Sequence, residues 1–294
     1  MKALLTILTT LVITGCANQK LEKEAIISTN VPMHLTDKGH IYVSTQLNDV
    51  ERYPMILDTA ANIGVIPNSL LTKLSPSQER IDQIEVQGAV GKMTLTQARL
   101  KNTQLNNIQI SDLTYIVQDL DGLKTHSQLV PGILGHGFLS SYCNIYDFTN
   151  KQVTFISSQC PHSSKDKLRA VDFRIEDNFI KIHTWFNGQK VDAILDTGAP
   201  TNVVNSKLHD LLNVAILEED KLKGLHNKGV TKHKLAKVDF QIGRHAVVNE
   251  ESFLADMPVF SALGYQEQPV LLMGLTNFKQ NKLVIDYHAK KIYF

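Results

Sequence analysis

The same short pattern occurs twice in this chain, with the two copies 138 residues apart. In each copy an apolar run ends in an aspartate, which is followed by a threonine and two small residues: "MILDTAA" contains Asp58 and "AILDTGA" contains Asp196. An unpaired carboxylate buried beside apolar residues is costly in free energy. No basic residue stands beside either aspartate, so we expect Asp58 and Asp196 to offset that cost by pairing with each other.

The repeat extends beyond the two aspartates. Each copy opens with alternating apolar residues, "HIYVSTQLND" and "FIKIHTWFNG", which is the period of a half-buried strand, and closes with a turn signal. The ends of the copies keep a constant offset of 139 positions. The matched pairs are Gly135 and Gly274, Asp147 and Asp286, Lys151 and Lys290, and Phe155 and Phe294. The sequence therefore predicts two related lobes.

The predicted organisation places an N-terminal lobe at residues 33–160, a polar linker at 161–168 and a C-terminal lobe at 169–294. Both lobes consist mainly of short apolar runs separated by turn residues, which indicates strands. One short helix is expected after each aspartate, at "NSLLTKL" and at "NSKLHDL". The predicted fold class is all-β.

Residues 1–15 resemble a bacterial lipoprotein signal. Lys2 precedes an apolar run that is too short to be a good membrane span, and small residues then lead to Cys16. The resemblance implies cleavage before Cys16, acylation of that cysteine, as with palmitate, and a tether over residues 16–32. It also implies a lipid-anchored location in the cell envelope, with Ala17 favouring the outer membrane, facing the periplasm. An ordinary secretory signal or a short anchor helix is the alternative.

Cys143 and Cys160 flank a predicted strand–turn–strand segment. In an oxidising compartment, a disulfide between them is a reasonable expectation. The two positions are a few residues out of register for a simple hairpin, and disulfide geometry is strict. Two free thiols are therefore the alternative.

Composition argues against several classes of function. The chain has 30 Lys and Arg against 29 Asp and Glu, for a net charge of +1, which does not favour a nucleic-acid partner. None of its 11 histidines has the spacing of a metal-binding motif. We therefore expect neither a metal nor another cofactor.

The two aspartate segments, together with the apolar-apolar-Gly signals at Ile133–Gly135 and Leu272–Gly274, resemble the active site of the aspartic protease superfamily. The short lobes look most like retropepsins, which build one site from two identical subunits. The resemblance implies a two-lobed acid-protease fold, with closed β-barrel lobes related by a pseudo-two-fold axis. It also implies an aspartic endopeptidase that acts as a monomer on an extended peptide or protein substrate.

The chemistry of such a site needs both aspartates. Two carboxyl groups within about 3 Å of each other do not readily ionise together, so the pair keeps one proton, as the aspartic protease dyad does. One carboxylate takes a proton from the attacking water, and the protonated partner donates to the developing oxyanion. The resemblance assigns these roles to Asp58 and Asp196.

The resemblance also assigns roles to the residues beside the dyad. Thr59 and Thr197 correspond to threonines whose hydroxyls lock the two lobes together. Gly198 corresponds to a glycine whose amide donates to the carboxylate. Ala60 departs from that pattern, because its methyl group adds bulk and disfavours a left-handed backbone.

Ala61 and Ala199 stand where pepsins usually carry a hydroxyl residue that donates to the carboxylate. Losing that donor predicts a dyad that keeps its proton to a higher pH. The alternative function is a catalytically weak or inactive homologue that holds peptides in the same cleft as an envelope factor. Ala60 favours that alternative.

Two glycine-containing segments are candidate flaps that would close over the cleft. Gly88 and Gly91 bracket a hairpin tip in the first copy, and Gly224 and Gly229 lie in the corresponding part of the second. Ordinary hairpins are the alternative. No tyrosine lies in either tip, so the usual pepsin flap residue is missing.

Overall fold

The computed structural model describes residues 26–49, 51–74, 79–88, 91–120, 123–129, 131–165, 167–222, 230–279 and 282–294. Most of this part of the chain is strand, as the sequence predicts. The N-terminal half contains β1 (Ser28–Pro32), β2 (His34–Leu35), β3 (Ile41–Leu47), β4 (Glu51–Leu57), β5 (Gly64–Ile66), α1 (Asn68–Leu74), β6 (Glu79–Gly88), β7 (Gly91–Leu105), β8 (Ile108–Val117), β9 (Gly132–Leu134), α2 (His136–Leu139), β10 (Cys143–Asp147) and β11 (Gln152–Ile156).

The C-terminal half repeats this order of elements. It contains β12 (Ala170–Glu176), β13 (Phe179–Phe186), β14 (Gln189–Leu195), β15 (Asn202–Val204), α3 (Ser206–Leu212), β16 (Ile216–Leu222), β17 (Val230–Leu235), β18 (Val238–Ile242), β19 (His245–Glu250), β20 (Ser252–Leu254), α4 (Pro258–Ala262), β21 (Val270–Met273), β22 (Lys282–Asp286) and β23 (Lys291–Tyr293). Short 3₁₀ turns lie at His162–Ser164 and Leu275–Asn277. The predicted helices after the two aspartates are confirmed as α1 and α3.

Six strands of the N-terminal lobe form a closed barrel. Their order is β3, β4, β9, β5, β8 and β7, and β7 pairs back with β3 to complete the ring. Strand β3 shows why the sequence folds this way: Ile41, Val43, Thr45 and Leu47 alternate along it and are all inaccessible to solvent. Alternation at period two directs one face of the strand into the barrel.

The C-terminal lobe follows the same circuit with interrupted strands. β17 and β18 together correspond to the long β7, and β19 and β20 correspond to β8. β18 pairs with β13 and returns the circuit to its start. The register between β18 and β19 shifts between Val238 and Phe240, and such a bulge bends a strand and disrupts its ladder. The predicted closed barrel is confirmed in the first lobe, whereas in the second lobe the strands of the circuit are interrupted between β17 and β18 and between β19 and β20.

A sheet shared by both halves joins the lobes. Its order is β1, β11, β10, β22, β23 and β12, with three strands from each half. At its centre β10 and β22 run antiparallel with Ile145 opposite Val284, and these two positions are related by the 139-residue offset of the repeat. Equivalent residues face each other here, so the pseudo-two-fold axis passes between Ile145 and Val284.

Residues 28–32 differ from the expectation of a polar tether over 16–32. They form β1, which pairs antiparallel with β11. Thr29 and Val31 are 6% and 3% exposed, so this strand buries one face. The alternation spans only two buried positions in a polar segment, which is too short to recognise without the partner strand. The signal at 1–15 and Cys16 lie outside the described residues. Among the described residues, none of the helices has both the length and the apolar composition of a membrane span.

Cys143 and Cys160 form a disulfide with a Cα–Cα distance of 5.2 Å. Cys143 begins β10 and lies opposite Ile156, the last residue of β11. The chain then continues beyond β11 to Cys160, which comes back beside Cys143. The two cysteines are not opposite each other in the hairpin of β10 and β11, but the four residues from 157 to 160 allow Cys160 to reach Cys143. The backbone N–H of Cys160 donates to Asp286 Oδ2 at 3.2 Å, which ties this corner to the second half.

Candidate active site

Each aspartate follows a strand that ends against an apolar-apolar-Gly segment. β4 runs parallel to β9, and β14 runs parallel to β21. The backbone N–H of Asp58 donates to the carbonyl of Leu134 at 3.1 Å, and that of Asp196 donates to the carbonyl of Met273 at 2.9 Å. The two aspartates are therefore fixed at equivalent positions in the two lobes.

The glycines of the two signals are required by close backbone approach. A Cβ on Gly135 would lie 2.3 Å from the carbonyl oxygen of Ala61, and a Cβ on Gly274 would lie 2.3 Å from that of Thr201. Real Cβ atoms essentially never come so close to backbone. Each glycine thus lets the loop that carries an aspartate pass directly over the neighbouring strand end.

Thr59 and Thr197 form a reciprocal set of hydrogen bonds across the lobe junction. The N–H of Thr59 donates to Thr197 Oγ1 at 3.1 Å, and the N–H of Thr197 donates to Thr59 Oγ1 at 3.0 Å. The hydroxyl of Thr59 donates to the carbonyl of Leu195 at 2.7 Å, and that of Thr197 donates to the carbonyl of Leu57 at 2.8 Å. Neither threonine is accessible to solvent. These four bonds align the two aspartate loops.

The carboxyl groups of Asp58 and Asp196 lie close enough for each to influence the pKa of the other. Burial raises the pKa of Asp58 and raises that of Asp196 well above its usual range; the negative charge of Asp58 raises the pKa of Asp196 further. Both shifts favour retention of a proton, so the pair holds one proton between its two carboxyl groups. Because the groups are coupled, the apparent pKa values belong to the pair.

Backbone amides limit this rise in pKa. The N–H of Ala60 donates to Asp58 Oδ1 at 2.8 Å, and the N–H of Ala199 donates to Asp196 Oδ1 at 3.0 Å. The amide of Gly198 also hydrogen-bonds to Asp196 and lowers its pKa. Donors aimed at a carboxylate favour its ionised form. The loops can therefore hold one charged and one neutral carboxyl group side by side.

Ala60 and Gly198 occupy equivalent positions in different surroundings. Ala60 is not among the residues with positive φ, so the expected conflict between its methyl group and a left-handed backbone does not arise. Gly198 also lacks a positive φ, but a Cβ there would lie 2.5 Å from Asp58 Cγ and 2.6 Å from its Oδ2. Gly198 is needed for space, and Ala60 has an unstrained backbone.

Apolar clusters flank both loops. Ala61 packs against a cluster that includes Ile56, Val65 and Ile133. Ala60 and Ala199 pack against a second cluster, which includes Ile194, Val203 and Leu272. Such surroundings lower the local dielectric, which strengthens electrostatic interactions at the dyad.

The hairpin proposed as the first flap is formed by β6 and β7, with Gly88 opposite Gly91 at its end. β6 contacts α4 of the C-terminal lobe, so this hairpin reaches across the junction between the lobes. The corresponding hairpin of β16 and β17 pairs Leu222 with Val230. Gly224 and Gly229 lie outside the described residues.

No pattern in the sequence indicates a role for His40, which lies just before β3. Its Nδ1 is 2.6 Å from the carbonyl oxygen of Gly198, a residue 158 positions away.

Within the described ranges, no group of three or more His, Cys, Asp or Glu side chains is arranged to hold a metal.

Comparison with known families bears on the first lobe. The family model described as "Aspartyl protease" matches residues 43–138, which begin in β3, include Asp58 and end in α2. A search of curated proteins found no match. The family match supports a protease-like function. The second lobe lies outside the matched residues, but it repeats the order of elements and supplies Asp196.

Proposed function

We propose that this chain is an endopeptidase of the retropepsin-like aspartic protease family and that its catalytic dyad is Asp58 and Asp196. The observation that carries the proposal is the equivalent placement of Asp58 and Asp196 at the ends of β4 and β14, with their two loops aligned by the reciprocal bonds of Thr59 and Thr197. Both aspartates are largely but not completely buried, so a water molecule can reach the pair, which has the geometry for acid–base catalysis on it.

In the proposed reaction Asp58 is ionised and Asp196 carries the proton. Asp58 takes a proton from water as the water oxygen bonds to the peptide carbonyl carbon, and Asp196 gives its proton to the carbonyl oxygen. The tetrahedral intermediate then breaks its C–N bond. The leaving nitrogen receives the proton held by Asp58, and the hydroxyl proton returns to Asp196 as the carboxyl product forms. The dyad ends the cycle as it began.

The proposed substrate is an extended peptide or protein segment. The hairpin of β6 and β7 supports this, since its contact with α4 would cover a strand-like ligand lying between the lobes. A single chain supplies both aspartates, so we propose that the protein acts as a monomer. No metal or other cofactor enters the proposed mechanism.

We further propose that lipid on Cys16 anchors the protein in the bacterial cell envelope, at the outer membrane and facing the periplasm. The basic start, the short apolar run and the small residues before Cys16 support this. Metabolic labelling with an alkyne-bearing fatty acid, compared between the natural protein and Cys16→Ser, tests it. Equal labelling of both proteins would refute lipidation at this position.

The proposed activity is tested with full-length protein in detergent, incubated with a diverse peptide mixture between pH 3 and pH 8. Cleavage products are identified by mass spectrometry for the natural protein, Asp58→Asn, Asp196→Asn and the control Asp210→Asn, which alters an exposed aspartate of α3. We expect cleavage by the natural protein and the control only. A protein that cuts nothing but retains peptides would instead be a peptide-binding homologue.

A further inference from the structure

His40 is held firmly at the lobe junction. It follows a tight turn in which the N–H of Thr36 donates to the carbonyl of His40 at 2.9 Å. In return, the N–H of His40 donates to Thr36 Oγ1 at 3.1 Å, and Thr36 is only 3% exposed. Gly39 has φ +84° and packs beside Pro200 of the other lobe. The backbone that carries the imidazole is thus fixed against the opposite active-site loop.

The imidazole of His40 donates to that loop. Its Nδ1 lies 2.6 Å from the carbonyl oxygen of Gly198. A carbonyl oxygen has no proton to give, so Nδ1 carries the hydrogen and Nε2 is unprotonated in the neutral ring. This contact crosses from the N-terminal lobe to the loop that carries Asp196.

One peptide unit connects His40 to Asp196. The carbonyl of Gly198 and the N–H of Ala199 belong to the same planar amide. The carbonyl accepts from His40, and the N–H donates to Asp196 Oδ1 at 3.0 Å. Hydrogen bonds at both ends of an amide polarise it in the same direction and strengthen each other.

The arrangement is not repeated at the other aspartate. The position 138 residues after His40 is Asn178, which is exposed and has φ +65°. Among the described residues no hydrogen bond joins Asn178 to the loop of Asp58. That loop instead contacts the C-terminal lobe through Asn62, whose Nδ2 donates to the carbonyl of Asp177 at 3.0 Å.

We propose that His40 is a positioning residue for Asp196, which it orients and polarises through the Gly198–Ala199 peptide. This inference rests on the proposed protease function, because it assigns a role in that reaction. His40 touches neither water nor substrate in the reaction. It fixes the direction and strength of the amide that donates to Asp196, and it does so for one member of the pair only.

Burial favours the neutral form of the His40 imidazole. Burial lowers the pKa of His40, and Lys38 and Lys279 lower it further. Asp37 and the bond to Gly198 act in the opposite direction without overcoming burial. Lys279 also donates from Nζ to the carbonyl of Pro200 at 3.3 Å, so two side chains hold successive parts of this loop.

The first test does not depend on catalysis. In full-length protein labelled with ¹³C at aspartate carboxyl groups, NMR titration follows the dyad, with Asp196→Asn used for assignment. Loss of a donor that favours the carboxylate raises its pKa. For His40→Leu we expect the step assigned to Asp196 to move upward by about 0.1–0.6 pH unit, from a 10–30% change in one charge-assisted bond. His40→Asn places an amide N–H near the position of Nδ1 and should restore the natural titration.

The second test measures the proposed reaction. His40→Leu should lower kcat about tenfold with little change in KM, because misplacing a catalytic group impairs the chemical step more than binding. The pKa on the basic side of the pH–rate profile of His40→Leu should rise, as the Asp196 step does in the NMR titration. His40→Asn should recover most of kcat. His288→Leu, in the exposed turn between β22 and β23, serves as the matched control and should match the natural protein.

The outcomes separate the two proposals. A natural protein without proteolysis would refute the proposed function, while the NMR titration would still decide whether His40 acts on Asp196. An unchanged Asp196 titration in His40→Leu, or equal effects of Leu and Asn, would overturn the positioning role. If His40→Leu fails to fold, ¹⁵N spectra of the natural protein remain decisive. A hydrogen on Nδ1 supports the proposal, and one on Nε2 alone refutes it.

Discussion

Gly198→Ala should disable the dyad, although the change adds a single methyl group. That methyl carbon would lie 2.5 Å from Asp58 Cγ and 2.6 Å from Oδ2, where ordinary contacts begin near 3.4 Å. The carboxyl group of Asp58 must therefore move by roughly 1 Å. A displacement of that size in a catalytic group costs about 100-fold in rate. Overpacking costs a further ~1–3 kcal/mol in the free energy of unfolding.

The matched variant is Ala60→Gly, at the equivalent position of the other loop. Ala60 has no positive φ, so removing its methyl group relieves no backbone strain. We expect a loss of about 0.5–1 kcal/mol in stability from the more flexible unfolded chain, and activity within a few-fold of the natural protein. Initial rates on one cleaved peptide and chemical denaturation give both quantities. The steric argument would be refuted if Gly198→Ala kept the natural kcat/KM. It would also be refuted if Ala60→Gly lost more kcat/KM than Gly198→Ala.

Three further predictions concern stability. Thr59→Val or Thr197→Val should each cost about 2–4 kcal/mol of unfolding free energy, since each strands a buried amide and a buried carbonyl; a loss below 1 kcal/mol would contradict the reciprocal bonds. Replacing both Cys143 and Cys160 by Ala should cost about 3 kcal/mol, from a sequence separation of 17 residues; the same denaturation midpoint for both proteins would argue against the disulfide. A carboxyl group with a raised folded pKa is stabilising below its unfolded pKa, and this contribution is lost as pH rises toward the folded pKa. In thermal melts, the melting temperature of Asp196→Asn should therefore rise relative to that of the natural protein as pH rises from 4 to 8. An opposite trend would refute the raised pKa.

The duplication made much of this fold predictable. The offset between copies pointed to two lobes, to the helices after each aspartate and to the meeting of Asp58 with Asp196, because all of these repeat in the sequence. β1 escaped prediction because its burial depends on β11, more than 100 residues away. His40 escaped because its partner is the backbone oxygen of Gly198, and a backbone contact leaves no trace in residue type.

The interrupted strands of the second lobe were also missed. Turn residues mark the ends of hairpins, but the break between β19 and β20 falls at Glu251, where the sequence carries no glycine or proline. The register between β18 and β19 also shifts between Val238 and Phe240. Pairing of that kind is a property of two strands together.

The axis between Ile145 and Val284 has a consequence for how such a site can diversify. In an assembly of two identical subunits, every substitution appears on both sides of the axis. Here the gene encodes each side separately, so a mutation changes one side and leaves the other intact. Glycine at 198 with alanine at 60, and histidine at 40 with asparagine at 178, are differences that only a fused chain can carry. Selection can thus change the residues around one aspartate without changing those around its partner.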